Sequence, residues 1–317
     1  MIIIVSPIFV TGGVESLHQL SNGLTSLKIE NRIIYVSESF GFIVDNDDFI
    51  VKAPDKSIPE YGGYEVKMAE SCKASEIKQI IFPEVFTTAA KQLCHHIPTA
   101  IWWLSVDNAF TPDSPLLQEQ TRKEFFQLPI QHYYQSRYAA NFLQQHGVRD
   151  IWEISDFTDT LFITKVNIDL DKKQVVLYNP RKGKERALAL AAQMPHIKFI
   201  PLTDMTTGKI QKTMIQSRLY MDFGHHPGKD RIPREAAKCG CVVMCRTAGA
   251  AQFFEDVPLP QHLMFNDFDL LQGNLAQRVQ SILTDGFEDA WKSMDKYRNF
   301  LTIEDKQFIQ KVHTVFK

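Results

Sequence analysis

No run within the 317 residues approaches the length of a membrane-crossing apolar helix, and the apolar start, residues 1–5, is too short for a secretory signal. Charge of one sign is equally scarce. Lys and Arg number 35 against 37 Asp and Glu, a formal net charge of −2, so no global field gathers a polyanion and nucleic acid is not an expected partner. Cysteine is sparse and odd in number, at five, which suits free thiols in a reducing compartment better than a disulfide framework; the cytoplasm is the expected address. Cys239, Cys241 and Cys245 lack the spacing of a zinc loop and fall where a strand is expected, so they read as buried thiols. His95 and His96 precede an apolar strand and read as turn residues. Neither a nucleophile elbow nor a paired-Asp motif for a divalent ion stands out, and there is no internal repeat or low-complexity tract. No metal and no cofactor is expected.

What is present is an ordinary globular balance, 44% hydrophobic and 23% charged, in a chain long enough for one large domain or two of usual size. Short apolar runs alternate with helical periodicity, the pattern of an α/β protein with parallel sheets. Strands are expected at 1–5, 32–36, 79–82, 99–104 and 129–134, then at 175–178, 198–202, 219–223, 241–245 and 263–265. Helices are expected at 85–94, after Ser136 through Gln145, at 249–254, and as three segments, 275–283, 290–301 and 303–316. The run 37–68 is irregular and reads as a surface hairpin or an acceptor-shaping insertion. Residues 151–163 show no clear period and read as an interdomain connection.

Residues 219–245 organise the rest. A short apolar run ends at Phe223, a loop rich in Gly, His and charge follows, and Asp230 can cap a helix in which Pro233 occupies the first turn. Gly240 ends that helix. Arg231, Arg234 and Glu235 therefore stand at a helix N-terminus, where free N–H groups and the dipole favour an anion. A carboxylate one step on can accept bonds from sugar hydroxyls. Phosphate plus ribose is a nucleotide. Arg181 with Lys182 or Lys184, after the 175–178 strand, forms either a diphosphate clamp or a solvated basic turn. Gly12 and Gly13 open a helix after the first strand, an arrangement that admits a ligand to the backbone or simply turns tightly. Asp107 falls just past the 99–104 strand, at the edge where open parallel sheets bind ligands, or caps the next turn.

Phe223-Gly224 followed by Glu235-Ala236-Ala237-Lys238-Cys239-Gly240-Cys241-Val242-Val243 resembles a segment of the large retaining family of nucleotide-sugar glycosyltransferases, group 1, of the GT-B fold. Gly12-Gly13-Val14-Glu15-Ser16-Leu17-His18 is similar to that family's N-terminal glycine loop. The family's acid before Phe-Gly lies closer to the Glu than Asp222 does to Glu235 here. The resemblance implies two Rossmann-like domains facing a cleft: residues 1–158 for the acceptor, 159–300 for the nucleotide sugar, and a helix at 301–317 returning to the first. It implies donor contacts from Gly12, Gly13, Lys184, Asp222, Gly224, Arg231, Arg234 and Glu235, with Asp107, Arg181 and Lys182 at the reacting centre. It implies transfer of a sugar to a glycan or lipid-linked acceptor, retaining and metal-independent, with contact to the inner face of a membrane as a further expectation. In this scheme the departing phosphate oxygen takes the acceptor's proton. An epimerase or hydrolase on the same fold, or a binding subunit without turnover, are the alternatives.

Overall fold

The computed structural model describes residues 1–36, 43–45, 48–50, 61, 63–69, 72–158, 161–165 and 167–317. The chain divides into two compact units, Met1–Asp156 with Lys306–Lys317, and Phe157–Asp305.

The first unit contains β1 (Ile2–Pro7), α1 (Gly12–Ser26), β2 (Asn31–Val36), β3 (Ile43–Asp45), β4 (Asp48–Ile50), β5 (Cys72–Lys73), β6 (Gln79–Pro83), α2 (Thr87–Leu93), β7 (Thr99–Trp103), α3 (Glu119–Phe125), β8 (Ile130–Tyr134), α4 (Arg137–Gln145) and β9 (Ile151–Glu153). Six of its strands form a parallel sheet in the order β2-β1-β6-β7-β8-β9. β1, β6 and β7 are mostly apolar and buried almost throughout, the usual demand of a parallel sheet. The connection expected at 151–163 begins instead with β9, which pairs with β8 as an edge strand; three residues with Trp152 exposed carry no period to read. Within the run 37–68, β3 and β4 pair antiparallel, and β5, just beyond it, adds a third strand; residues 37–42, 46–47, 51–60 and 62, on which the rest of that expectation falls, lie outside the described residues.

The second unit contains β10 (Lys173–Tyr178), α5 (Lys184–Gln193), β11 (Lys198–Pro201), α6 (Thr207–Ile215), β12 (Ser217–Asp222), α7 (Arg231–Lys238), β13 (Val242–Arg246), β14 (Met264–Phe265), α8 (Asp267–Leu271), α9 (Asn274–Leu283), α10 (Phe287–Ser293) and the start of α11 (Asp295–Phe316). Its sheet is parallel in the order β11-β10-β12-β13-β14. In each sheet the strand order reverses once, between β1 and β6 and between β10 and β12. Such switch points open a crevice beyond the carboxyl ends of the strands.

Four of the expected helices differ in the structure. Only a single 3-10 turn, Ala250–Gln252, forms within 249–254, because Gly249 takes φ +61° and Phe253 is already extended. The expected 85–94 helix begins with a 3-10 turn, Glu84–Phe86, before α2. The two segments 290–301 and 303–316 are redrawn as the short α10 and one long α11. Residues 306–317 belong to the first unit, where Phe316 meets the Tyr133 ring at 5.6 Å between centroids and Lys311 pairs with Glu153 at 2.8 Å. Ser136 caps α4, accepting the Ala139 N–H at 3.1 Å. Ser136→Ala should therefore cost about 1 kcal/mol of stability in denaturant unfolding, with an unchanged denaturant slope.

Candidate functional site

The carboxyl edge of the second sheet is where its polar groups gather. β12 is buried almost throughout and ends on Asp222, which is 1% exposed. A carboxylate so placed needs hydrogen bonds. It accepts the Tyr220 hydroxyl at 2.9 Å and the Gly224 N–H at 2.9 Å, and His226 Nε2 lies 3.3 Å away as an ionic contact. Asp230, at the end of the same loop, takes Lys182 Nζ on both oxygens, at 2.8 and 2.7 Å. One ligating atom from each of Asp222, His226 and Asp230 falls within 4.8 Å of the others. With His226 protonated, two cations stand against two carboxylates and the cluster is neutral.

Glycines make this convergence sterically possible, Gly224 and Gly249 among them. A Cβ at 224 would stand 2.7 Å from Lys182 Cβ, so any larger residue pushes the β10 and β12 loops apart. Gly249 has φ +61°, and a Cβ there would lie 2.0 Å from the His226 carbonyl oxygen. That carbonyl accepts the Ala250 N–H at 2.7 Å, which closes the β13 loop over the histidine. The ends of β10, β12 and β13 are thus drawn together.

Burial works against both charges of the buried pair, and each rescues the other. For Asp222 the His226 charge, the Gly224 N–H and the Tyr220 hydroxyl outweigh burial and hold the carboxyl at about 2. For His226 burial is again opposed, chiefly by Asp222, and the imidazole titrates above the ordinary histidine range. A raised histidine stabilises the fold fully below its unfolded value, and that contribution fades as pH rises through the folded one.

Around this cluster lie most of the residues expected at a donor site. Arg181 is exposed, its N–H bonded to Asn179 Oδ1 at 3.0 Å in a turn that leaves the guanidinium outward. Lys182 is half-buried against Asp230, whereas Lys184 is the exposed first residue of α5, so the two lysines are clearly distinct. Arg231 and Glu235 are half-buried on α7. Two expectations need correction. Asp230 stands at the N-cap position of α7 but makes no side-chain cap bond, since Lys182 takes its carboxylate. Arg234 does not face outward as a phosphate ligand. It is 1% exposed, donates to Glu304 Oε2 at 3.1 Å and to the Lys229 carbonyl at 3.0 Å, and serves as an internal cation.

Gly12, Gly13 and Asp107 belong to the carboxyl edge of the first sheet. Thr11 caps α1 through the Val14 N–H at 3.3 Å, so Gly12 and Gly13 form its first turn. A Cβ at 13 would meet only ordinary contacts, the nearest at 3.8 Å, so packing alone does not demand glycine there. Asp107 is exposed and accepts the Tyr138 hydroxyl at 3.3 Å. The sequence reading missed two supports of this edge. Tyr61 donates to the Thr11 carbonyl at 2.7 Å, and Tyr64 donates to Glu15 at 2.8 Å, so the end of the 37–68 run grips the first turn of α1. His226 is a further residue that the sequence leaves unmarked; the i, i+4 step from Asp222 is the available signal.

No family model matches the sequence, and no curated protein matches it. Solved structures do. Sucrose-phosphate synthase from Thermosynechococcus elongatus aligns over 100% of this chain and 94% of its own, at 14% identity and a TM-score of 0.61. WaaG, a glycosyltransferase involved in lipopolysaccharide biosynthesis, aligns over 98% of this chain and 99% of its own, at 11% identity and a TM-score of 0.57. The chain has the GT-B fold. A UDP-GlcNAc 2-epimerase from Neisseria meningitidis, bound to UDP-GlcNAc, shares it too, with 99% of each chain covered at 11% identity and a TM-score of 0.56. The likeness is to a fold that nucleotide-sugar glycosyltransferases use, and at these identities it is a likeness of fold alone.

Two outcomes follow from the buried charges of this GT-B chain. Unfolding free energy should decline as pH rises above about 6.5, and His226→Gln should make that decline shallower; an identical profile in the variant would contradict a protonated His226. Glu304 holds Arg234 at 3.1 Å, Lys238 at 3.0 Å and the Thr158 N–H at 2.7 Å. Glu304→Ala leaves two buried cations uncompensated and should cost about 3–5 kcal/mol in denaturant unfolding.

Proposed function

We propose that this chain is a glycosyltransferase that moves a sugar from a nucleotide diphosphate sugar to a glycan or lipid-linked acceptor, without metal and with retained configuration. The observation that carries the reading is the convergence, at one switch point, of the Asn179–Lys184 turn and the 223–230 loop, with α7 beginning at its far end. Arg181 and Lys184 are exposed cations suited to a diphosphate, and Lys182, held by Asp230, is the third cation of the same turn. Glu235 is assigned the ribose hydroxyls, and Gly224 and Arg231 the donor's surroundings. Asp222, fully engaged by Tyr220, Gly224 and His226, is assigned to shaping the loop beneath the sugar.

The metal-free part of the proposal rests on charge chemistry. Asp222, His226 and Asp230 have the composition of a cation site, yet Lys182 already neutralises Asp230 and a protonated His226 neutralises Asp222. Fixed cations and N–H groups then meet the charge that develops on the leaving diphosphate. As the C1–O bond to phosphate breaks, a phosphate oxygen takes the acceptor's proton and the acceptor oxygen bonds C1 on the same face. Gly12 and Gly13 are assigned to the donor phosphate and the acceptor, and Asp107 to the reacting centre, against the transferred sugar or the acceptor. Epimerisation of the donor and binding without turnover are the competing outcomes.

A panel of nucleotide diphosphate sugars should raise the melting temperature for one member, and excess EDTA should leave that affinity nearly unchanged. Arg181→Ala should weaken a diphosphate by about 1.5–3 kcal/mol and a free nucleoside hardly at all. Glu235→Gln should cost about 1–3 kcal/mol of donor affinity with the fold intact. Turnover of the hit decides between classes: a glycoside of unchanged anomeric configuration supports the proposal, and a changed sugar with no acceptor consumed supports an epimerase. Loss of binding on chelation, restored by manganese or magnesium, would overturn the metal-free scheme.

A further inference from the structure

The switch point of the first sheet lies between β1 and β6. The glycine loop follows β1, and Glu84 is the first residue after β6. Glu84 is 3% exposed, a rare position for a carboxylate without a paired cation. Its Oε2 accepts the Leu104 N–H at 3.0 Å, and the nearby Ser105 N–H and its own N–H also favour its charged form. Leu104 and Ser105 are the residues by which β7 runs into the 3-10 turn Val106–Ala109 that bears Asp107. Leu104 Cδ1 is also the nearest neighbour of a Cβ built at Gly13, at 3.8 Å. The Ser105 hydroxyl is buried with no hydrogen-bond partner among the described residues, so it is not what holds this turn.

We propose that Glu84 is a positioning residue for the acceptor half of the reaction: its carboxylate gathers the N–H groups at the end of β7 and fixes the turn that bears Asp107 beside the glycine loop. The inference rests on the transferase reading for the word acceptor; the grip itself does not. An apolar residue of equal size would leave the Leu104 and Ser105 N–H groups without their acceptor in a dry place, which explains a charge where the strand pattern calls for none. Burial pushes the Glu84 carboxyl up to about 7, against the pull of the three N–H groups, so the grip changes strength near neutrality. Of the elements packed on the Glu84 turn, α2 brings Lys91 and the 106–109 turn brings Asp107, while β6 and β7 bring no titratable group.

The test pairs Glu84→Gln with Glu84→Asp and reads amide hydrogen exchange on the full chain. Protection of the Leu104 and Ser105 amides should fall about tenfold, equivalent to about 1.4 kcal/mol, in both variants, with the amides of Ala100–Trp103 unchanged. With UDP-glucose, UDP-GlcNAc, GDP-mannose and ADP-glucose as probes, the wild type should show a limb near pH 7 in the turnover of whichever it uses. Glu84→Gln should lose that limb and lower kcat, with the donor KM unaltered. Unchanged protection in both variants would overturn the grip. Reduced protection with an unaltered pH profile and kcat would reduce Glu84 to a structural tie and overturn the positioning role. If no probe is turned over by the wild type, the transferase reading falls, and with it the acceptor role, while the exchange result still decides the grip.

Discussion

Buried charge must be answered where it lies, and in the second unit this rule shapes everything around the end of β12. Asp222 is carried inside by a strand with apolar neighbours on both faces, and no water reaches it. Tyr220, Gly224 and His226 are the answer, and they fix the loop's path within four residues. Asp230 repeats the problem at the loop's other end and is answered across the switch point by Lys182. The close approach of the two loops, and the glycines that permit it, follow from these two carboxylates. A site whose walls are held by internal charge pairs is rigid before any ligand arrives, and rigidity of this kind lowers the ordering cost of binding.

The same economy governs α7. Its Arg234 and Lys238 tie the helix to Glu304 of α11, which also takes the Thr158 N–H, so the helix that faces the candidate nucleotide site is anchored from behind. Single removals in such a network cost more than the net value of any bond in it, because the remaining charges cannot reach water.

The sequence made the two parallel sheets legible, since β1, β7, β12 and β13 are short apolar runs bounded by turn residues. Clustered cations and a helix start made Arg181, Lys182 and Glu235 conspicuous. Arg234 was misread for the reason Arg181 was noticed: an arginine near a helix start looks the same in sequence whether it faces phosphate or Glu304, some seventy residues away in the chain. Asp230 was misread because capping is local and its true partner, Lys182, is not. Glu84 was passed over because one acid after a strand resembles an ordinary turn residue. Only the register of β6 against β7 places Leu104 over it. β9 and the Tyr61 and Tyr64 contacts were hidden likewise, the first by brevity and the others by distance along the chain.

The helix α11 is a single element whose residues fall in both units, with the division after Asp305. The first unit is therefore discontinuous in the gene. Its sheet is encoded by residue 153, yet Phe308 packs beside Gly23 of α1 and Phe316 beside Tyr133, and both phenylalanines are translated only after the whole second unit. On the ribosome the amino-terminal sheet must wait with those apolar surfaces uncovered until α11 emerges. Synthesis order and folding order cannot coincide here, and any split of the gene at the single early crossing would strand one half without its closing piece.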